Sequence, residues 1–246
     1  MLENSLSVPL SIEQLEYEVH NCIKCKAGDN SVICFYPVYS FGNPSGKKLI
    51  VIGLNPSTSE YKKGFLPDDF SVENRRFAQL KYFKRPYYKY FFGKIEDFFK
   101  GEIKTKLGYR RNVWEKVGYL DLVKCPTRIK KNGKKQWSGL DSSQKNGIID
   151  NCKDYLLKQL ELYKPELIIP YGTNICEQIG EIFNVYPKKY GITEIKINSH
   201  NLKVLFLHQI QGPRHSDSEI SKIRARAQNG NYLMKALTIS KKLDER

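Results

Sequence analysis

The sequence predicts a single α/β domain, with a central, mainly parallel four-stranded sheet flanked by helices. Three observations predict it. Short aliphatic runs, Leu49 to Ile52 and Leu167 to Ile169 among them, have the continuous apolar character of strands buried on both faces. Stretches of helical period lie between such runs, the longest being Ser142 to Tyr163. The aliphatic runs end in turn residues, Gly53 with Pro56 and Pro170 with Gly172, as parallel strands do before a crossover.

Each element follows in order. Ser11 to Asn21 carries Ile12, Leu15 and Val19 on one helical face and runs into Cys22-Ile-Lys-Cys25. Ala27 to Pro37 is rich in turn residues. Leu49 to Ser57 is the stretch the rest is arranged around, a buried strand that turns at Gly53-Leu54-Asn55-Pro56. Ligands of open α/β sheets bind beyond the carboxyl ends of the strands, which puts Asn55 where chemistry is expected. Capping the turn with its own side chain is the alternative role for that Asn. Ser71 to Lys100 is dense in aromatic and basic residues and reads as helices broken at Pro86, part of an insertion at about 71–111. Gly118 to Cys125 reads as a strand, Arg128 to Trp137 as a basic loop, and Ser142 to Tyr163 as a helix. Leu167 to Gly172 is the next buried strand, followed by a helix over Thr173 to Phe183 with Thr173 as its cap. Ile192 to Asn198 and Leu202 to His208 pair across Ser199-His200-Asn201, and a last helix starts near Ser216. Repeats, low-complexity segments and linkers are absent, so the expectation is one domain over 1–246.

Composition narrows the function. The chain has 246 residues, of which 40% are hydrophobic, which excludes wholesale disorder. No apolar run approaches the ~20 residues needed to span a bilayer. Met1 to Pro9 lacks the basic-then-apolar pattern of a signal peptide, so a cytoplasmic location is expected. There are 41 Lys and Arg against 26 Asp and Glu, a net charge of +15. Such a surplus attracts polyanions by steering and counterion release. No basic amphipathic helix with a clean apolar face stands out, which favours nucleic acid over an anionic membrane.

Six cysteines occur in a chain of intracellular type, where disulfides are rare. Cys22 and Cys25 form a C-x-x-C pair, and Cys125 and Cys152 are distant singles. A close pair plus two distant singles is what a four-thiolate site needs. Thiolates without histidine partners suit an iron–sulfur cluster or a structural zinc. Cys34 and Cys176 read instead as small buried hydrophobes.

These pieces, in this order, resemble the iron–sulfur branch of the uracil-DNA glycosylase superfamily. The likeness runs from about Leu15 to Arg214. It rests on Cys22-x-x-Cys25, Gly53-Leu54-Asn55-Pro56, Gly64-Phe65, Asp121-Leu122-Val123-Lys124-Cys125, Cys152 with Asp154-Tyr155-Leu156, and a strand ending at His208. The resemblance implies a three-layer sandwich that acts on DNA as a monomer, with no membrane partner. It implies a 4Fe–4S cluster on Cys22, Cys25, Cys125 and Cys152, with a structural role. It also implies a base flipped out of the duplex for cleavage of its bond to the sugar. Asn55 would hold the attacking water, as in the mismatch-specific branch, and His208 would donate to the departing base. Phe65 would stack on that base in a pocket formed with Gly53 and Leu54.

Two departures carry information. The family has an Asn that reads uracil where this chain has Asp121. A carboxylate accepts from the exocyclic amine of cytosine and has no donor for a uracil carbonyl. That points to a modified cytosine, as in foreign (viral) DNA, with uracil repair or a non-catalytic DNA-binding module as alternatives. After His208, the family's His-Pro-Ser gives way to Gln209-Ile210-Gln211-Gly212-Pro213-Arg214, and Ile210 and Arg214 are expected to wedge into the duplex. Arg128, Lys130, Lys131, Lys134 and Lys135 form a mobile basic arm for phosphates. In the insertion, the Phe residues are expected in the core and Arg75, Arg76, Lys81 and Arg85 in partial contact with DNA. No lysine is singled out as an imine-forming nucleophile, so hydrolysis without strand cleavage is expected.

Overall fold

The computed structural model describes residues 11–25, 32–34, 37–56, 72–84, 92, 113–129, 137–187 and 192–207. In chain order its elements are α1 (Ile12–His20), β1 (Val32–Cys34), β2 (Leu49–Gly53), α2 (Val72–Leu80), β3 (Val117–Asp121) and β4 (Thr127–Ile129). Then follow α3 (Ser142–Tyr163), β5 (Leu167–Pro170), α4 (Thr173–Ile182), β6 (Ile192–Ile197) and β7 (His200–Leu205). The main sheet has the order β3-β2-β5-β7-β6. All its neighbours are parallel except β6 and β7, which form an antiparallel hairpin.

The α/β class is as expected, with five strands in the main sheet rather than four. The hairpin accounts for the difference. Asn198 takes a left-handed φ of 50° at its turn, and Ile195 and Ile197 turn inward while Glu194 and Lys196 face solvent. That alternation is the signature of an edge strand with one wet face. Every residue of β2 and β3 is buried, so both faces of the sheet centre are covered and the layers are three.

Local chemistry explains the boundaries. Ser11 caps α1, its side chain accepting from the Gln14 amide at 3.1 Å. Asp141 and Gln144 form a reciprocal capping box on α3. On α4 the cap is Gly172, with a left-handed φ of 112° and no side-chain bond. Thr173 is therefore the first helical residue and not the cap, because glycine alone takes that backbone turn without strain.

Three other boundaries differ. β3 ends at Asp121 and not at Cys125, and β7 ends at Leu205. The strands nonetheless stay bonded a little further, with the Leu122 amide donating to the Gly53 carbonyl at 2.9 Å and the Val123 amide to the Leu54 carbonyl at 2.8 Å. The turn-rich stretch before Pro37 contains β1, which pairs antiparallel with β4. Arg128 is thereby held in a strand opposite Ile33 and is not part of a mobile arm, since ladder bonds fix its backbone. Residues 37–42 run along the free edge of β3. The Val38 amide donates to the Lys124 carbonyl at 2.7 Å and the Phe41 amide to the Tyr119 carbonyl at 3.4 Å. An exposed row of β3 backbone groups is covered in this way.

The core lies between the sheet and α1, α3 and α4, with Leu15, Ile50, Ile52, Leu156, Leu160, Ile175 and Ile179 at its centre. Cys176 belongs to it as expected, fully buried with its thiol on the Pro170 carbonyl. Among the described residues no helix is long and apolar enough to cross a membrane. The expected helix from Ser216 lies outside the described residues.

Candidate functional site

The parallel strands β2, β3, β5 and β7 all end at the same edge of the sheet. Gly53 and Asp121 are register partners at the ends of β2 and β3. Leu54 and Asn55 follow directly, both half-buried. Past β5 and β7, Tyr171 bridges to Leu207 in parallel, so the residue before His208 is at this edge too. The sheet thus gathers Gly53, Leu54, Asn55 and Asp121 at one end. His208 and Phe65 lie outside the described residues, as do Lys130, Lys131, Lys134, Lys135, Ile210 and Arg214.

Asn55 is held lightly, its amide nitrogen 3.3 Å from the Pro56 carbonyl. Asp121 is held firmly and is only 3% exposed. Its Oδ1 accepts from the Tyr119 hydroxyl at 3.2 Å. Its Oδ2 is buried and has no hydrogen-bond partner among the described residues. Burial pushes the Asp121 carboxyl above the usual carboxylate range, opposed by the Lys124 charge and by the Tyr119 hydrogen bond. Gly53 is required here. A Cβ on it would lie 1.8 Å from the Tyr119 hydroxyl oxygen and 2.5 Å from Asp121 Oδ1.

Lys124, 1% exposed, sits beneath the site. Its ammonium donates to the Asp121 carbonyl and to Gln159 Oε1. Burial lowers its pKa and the Asp121 charge opposes the shift. Gln159 in turn donates to the Tyr39 carbonyl at 2.8 Å, and the Tyr39 amide donates to Gln79 Oε1 at 3.1 Å. Gln79 Oε1 also meets His20 Nε2 at 3.2 Å. Burial holds the His20 pKa down to about 4. One buried polar chain therefore links α1 and α2 to the site. It was invisible in the sequence because its members are scattered and each alone reads as a surface residue.

The four cysteines come from the segment after α1, the segment after β3, and α3. The Cys152 thiol contacts Cys25 and lies in the field of Cys125, and these contacts together with burial raise its pKa well above the ordinary value. The Tyr155 hydroxyl meets Cys22, and the Asn151 amide is 3.7 Å from Cys25 Sγ. Lys24 Nζ stands 4.7 Å over the Tyr155 ring. Among the described residues no three His, Cys, Asp or Glu side chains close tightly enough on one point to hold a single ion.

The basic residues of the insertion divide. Arg75 is buried, 6% exposed, which corrects its expected contact with DNA, because a guanidinium enclosed by protein cannot meet a phosphate. Arg76 pairs with Glu16 at 3.0 Å, and Lys81 lies 3.8 Å over the Phe77 ring. Arg85 lies outside the described residues. Tyr82, Phe83 and Phe92 are buried, as expected of a core layer, whereas Phe77 is 55% exposed.

A buried carboxylate and an Asn-Pro turn lie at the carboxyl edge of a parallel sheet, where α/β proteins bind their ligands, in a chain of charge +15 that attracts polyanions. The family model for the uracil DNA glycosylase superfamily matches residues 39–208, and the chain belongs to that superfamily. It is accordingly a DNA glycosylase, a hydrolase of the base–sugar bond. The match ends on His208 and starts after the Cys22-x-x-Cys25 pair. No curated protein matches the chain.

Proposed function

We propose that the protein is a monofunctional glycosylase that removes a modified cytosine from DNA and leaves an abasic site. The observation that carries this reading is Asp121, a buried carboxylate at the carboxyl edge of the sheet whose Oδ2 has no partner among the described residues. An unpaired buried acceptor costs about 1–3 kcal/mol, a penalty removed when a ligand supplies the donor. The exocyclic amine of a cytosine-type base is such a donor. Asn55 holds the attacking water, His208 donates to the departing base, and Phe65 stacks on it. An Asn cannot accept the water's proton as a strong base, which fits a slow reaction that relies on stabilising the leaving base. Arg128, Lys130, Lys131, Lys134 and Lys135 hold phosphates, and Ile210 and Arg214 fill the gap left by the base.

A second reading, uracil removal, is favoured by the raised pKa of Asp121. A neutral carboxylic acid offers one donor and one acceptor, as an Asn amide does. Base release from duplexes carrying uracil, cytosine, 5-hydroxymethylcytosine or its glucosylated form separates the two. Release of the modified cytosines supports the first reading, and release of uracil alone refutes it. Asn55→Ala should slow release at least ~100-fold while DNA affinity stays unchanged; loss of binding instead would make this a folding residue.

Cys22, Cys25, Cys125 and Cys152 would hold a 4Fe–4S cluster. The approach of Cys152 to Cys25 and Cys125 supports a four-thiolate site, and an all-thiolate donor set suits such a cluster or a structural zinc. Bound there, the cluster would tie α1, the segment after β3 and α3 into one block.

A further inference from the structure

Rings from the 71–111 insertion and from the segments flanking it converge on one residue of the site. Phe92 stands edge-on to Tyr119 with centroids 4.6 Å apart, Phe41 at 5.9 Å and Trp114 at 6.2 Å. Trp114 is itself stacked on Phe83 at 4.2 Å and 7°, and Tyr82 packs against Phe41 at 4.6 Å. A ring enclosed by neighbours at interior density cannot swing, so the hydroxyl at its tip is fixed in place. That hydroxyl donates to Asp121 Oδ1 and hangs over Gly53, in space that a side chain there would fill.

Tyr119 and Asp121 are two residues apart on β3 and share a face. The last torsion of an Asp is soft and two-fold, so a free carboxylate would present either oxygen in many directions. Tying down Oδ1 leaves Oδ2 one orientation. A buried polar atom kept unsatisfied in a rigid frame calls for an explanation, and a ligand group supplies one.

We propose that Tyr119 is a positioning residue for base selection. Braced by Phe41, Phe92 and Trp114, it holds Oδ1 of Asp121 so that Oδ2 meets the exocyclic amine of the extruded base. The inference rests on the reading of Asp121 as the base-reading group. It also assigns a purpose to the aromatic insertion, which sets selectivity from behind the pocket.

The test compares Tyr119→Phe, Phe92→Leu and Asp121→Asn with the unaltered protein. Two quantities are read for 5-hydroxymethylcytosine and for uracil. One is kcat and KM of base release. The other is the Kd for duplexes whose target nucleotide has a 2′-fluoro-arabino sugar, which resists hydrolysis. Tyr119→Phe should raise KM and Kd for the cytosine-type duplex about tenfold, the effect of one lost hydrogen bond to a charged group. It should leave kcat and the uracil values nearly unchanged. A merely structural tyrosine would move both bases together. Phe92→Leu keeps the hydroxyl but frees the ring, and should shift the ratio the same way by less. It decides the matter if Tyr119→Phe does not fold. If Asp121→Asn alters base preference while Tyr119→Phe and Phe92→Leu do not, the positioning role is overturned and the Asp121 reading survives. If Asp121→Asn leaves preference untouched, or the unaltered protein shows none, the Asp121 reading falls and this inference with it.

Discussion

On the proposed reading, Asp121 concentrates base recognition in one side chain. In its ionised form it accepts from an amine, and in its neutral form it also donates. Burial raises its pKa, with Lys124 and Tyr119 opposing, so the neutral form persists above the ordinary carboxylate range. Release of a cytosine-type base should therefore fall as pH is lowered through the raised value, while release of uracil should hold or rise. Parallel pH–rate profiles for the two bases check this, and identical profiles would exclude Asp121 as the reader. The stability sign is opposite to that of a salt-bridged carboxylate. Between the ordinary and the raised pKa the folded protein binds more protons than the unfolded chain, so this group makes stability fall as pH rises there. Asn55 stood out in the sequence through the Gly-Pro turn that ends its strand, and Asp121 only because the resembled family has an Asn at that place. Tyr119 did not stand out. In a buried strand an aromatic reads as core, and the proposed second task rests on the reach of its hydroxyl to Asp121 Oδ1 and over Gly53, which only the folded chain shows.

At the scale of elements, α3 does the most work for the site, since it carries Gln159 under Lys124 and Cys152 beside Cys25. Replacing Gln159 with Leu leaves the Lys124 ammonium with one fewer partner and strands the Tyr39 carbonyl. We expect a loss of about 2–3 kcal/mol, read as a lower urea midpoint at unchanged slope. A loss below ~0.5 kcal/mol would mean that water replaces the amide. The limits of α3, Ser142–Tyr163, are those the sequence predicts, because the capping box and the apolar period agree. The sequence missed β1 and β4. Strands of three residues are too short to show alternation, and their pairing joins segments far apart in the chain. It also extended β3 to Cys125, since Leu122 and Val123 are aliphatic, and they do continue to bond the Gly53 and Leu54 carbonyls although the chain bends there.

For the whole molecule the questions are what braces it and what draws it to DNA. If a cluster spans the four cysteines, anaerobically purified protein should absorb broadly in the visible, and Cys125→Ser should remove the colour and lower the melting temperature. Tightly bound zinc in colourless protein would favour the simpler metal. Charge makes the second expectation. With a net +15, DNA affinity should fall at least ~10-fold between 50 and 200 mM salt, by counterion release; a flat salt response would remove phosphate contact as the main source of affinity. The ring cluster behind Tyr119 has a consequence for descent. Phe83, Phe92 and Trp114 are buried, so exchanging one for another alters almost nothing of the outer surface. If Tyr119 sets base choice as proposed, lineages can drift in diet through such hidden swaps while their visible faces stay alike, and sorting relatives by surface likeness alone would group them wrongly.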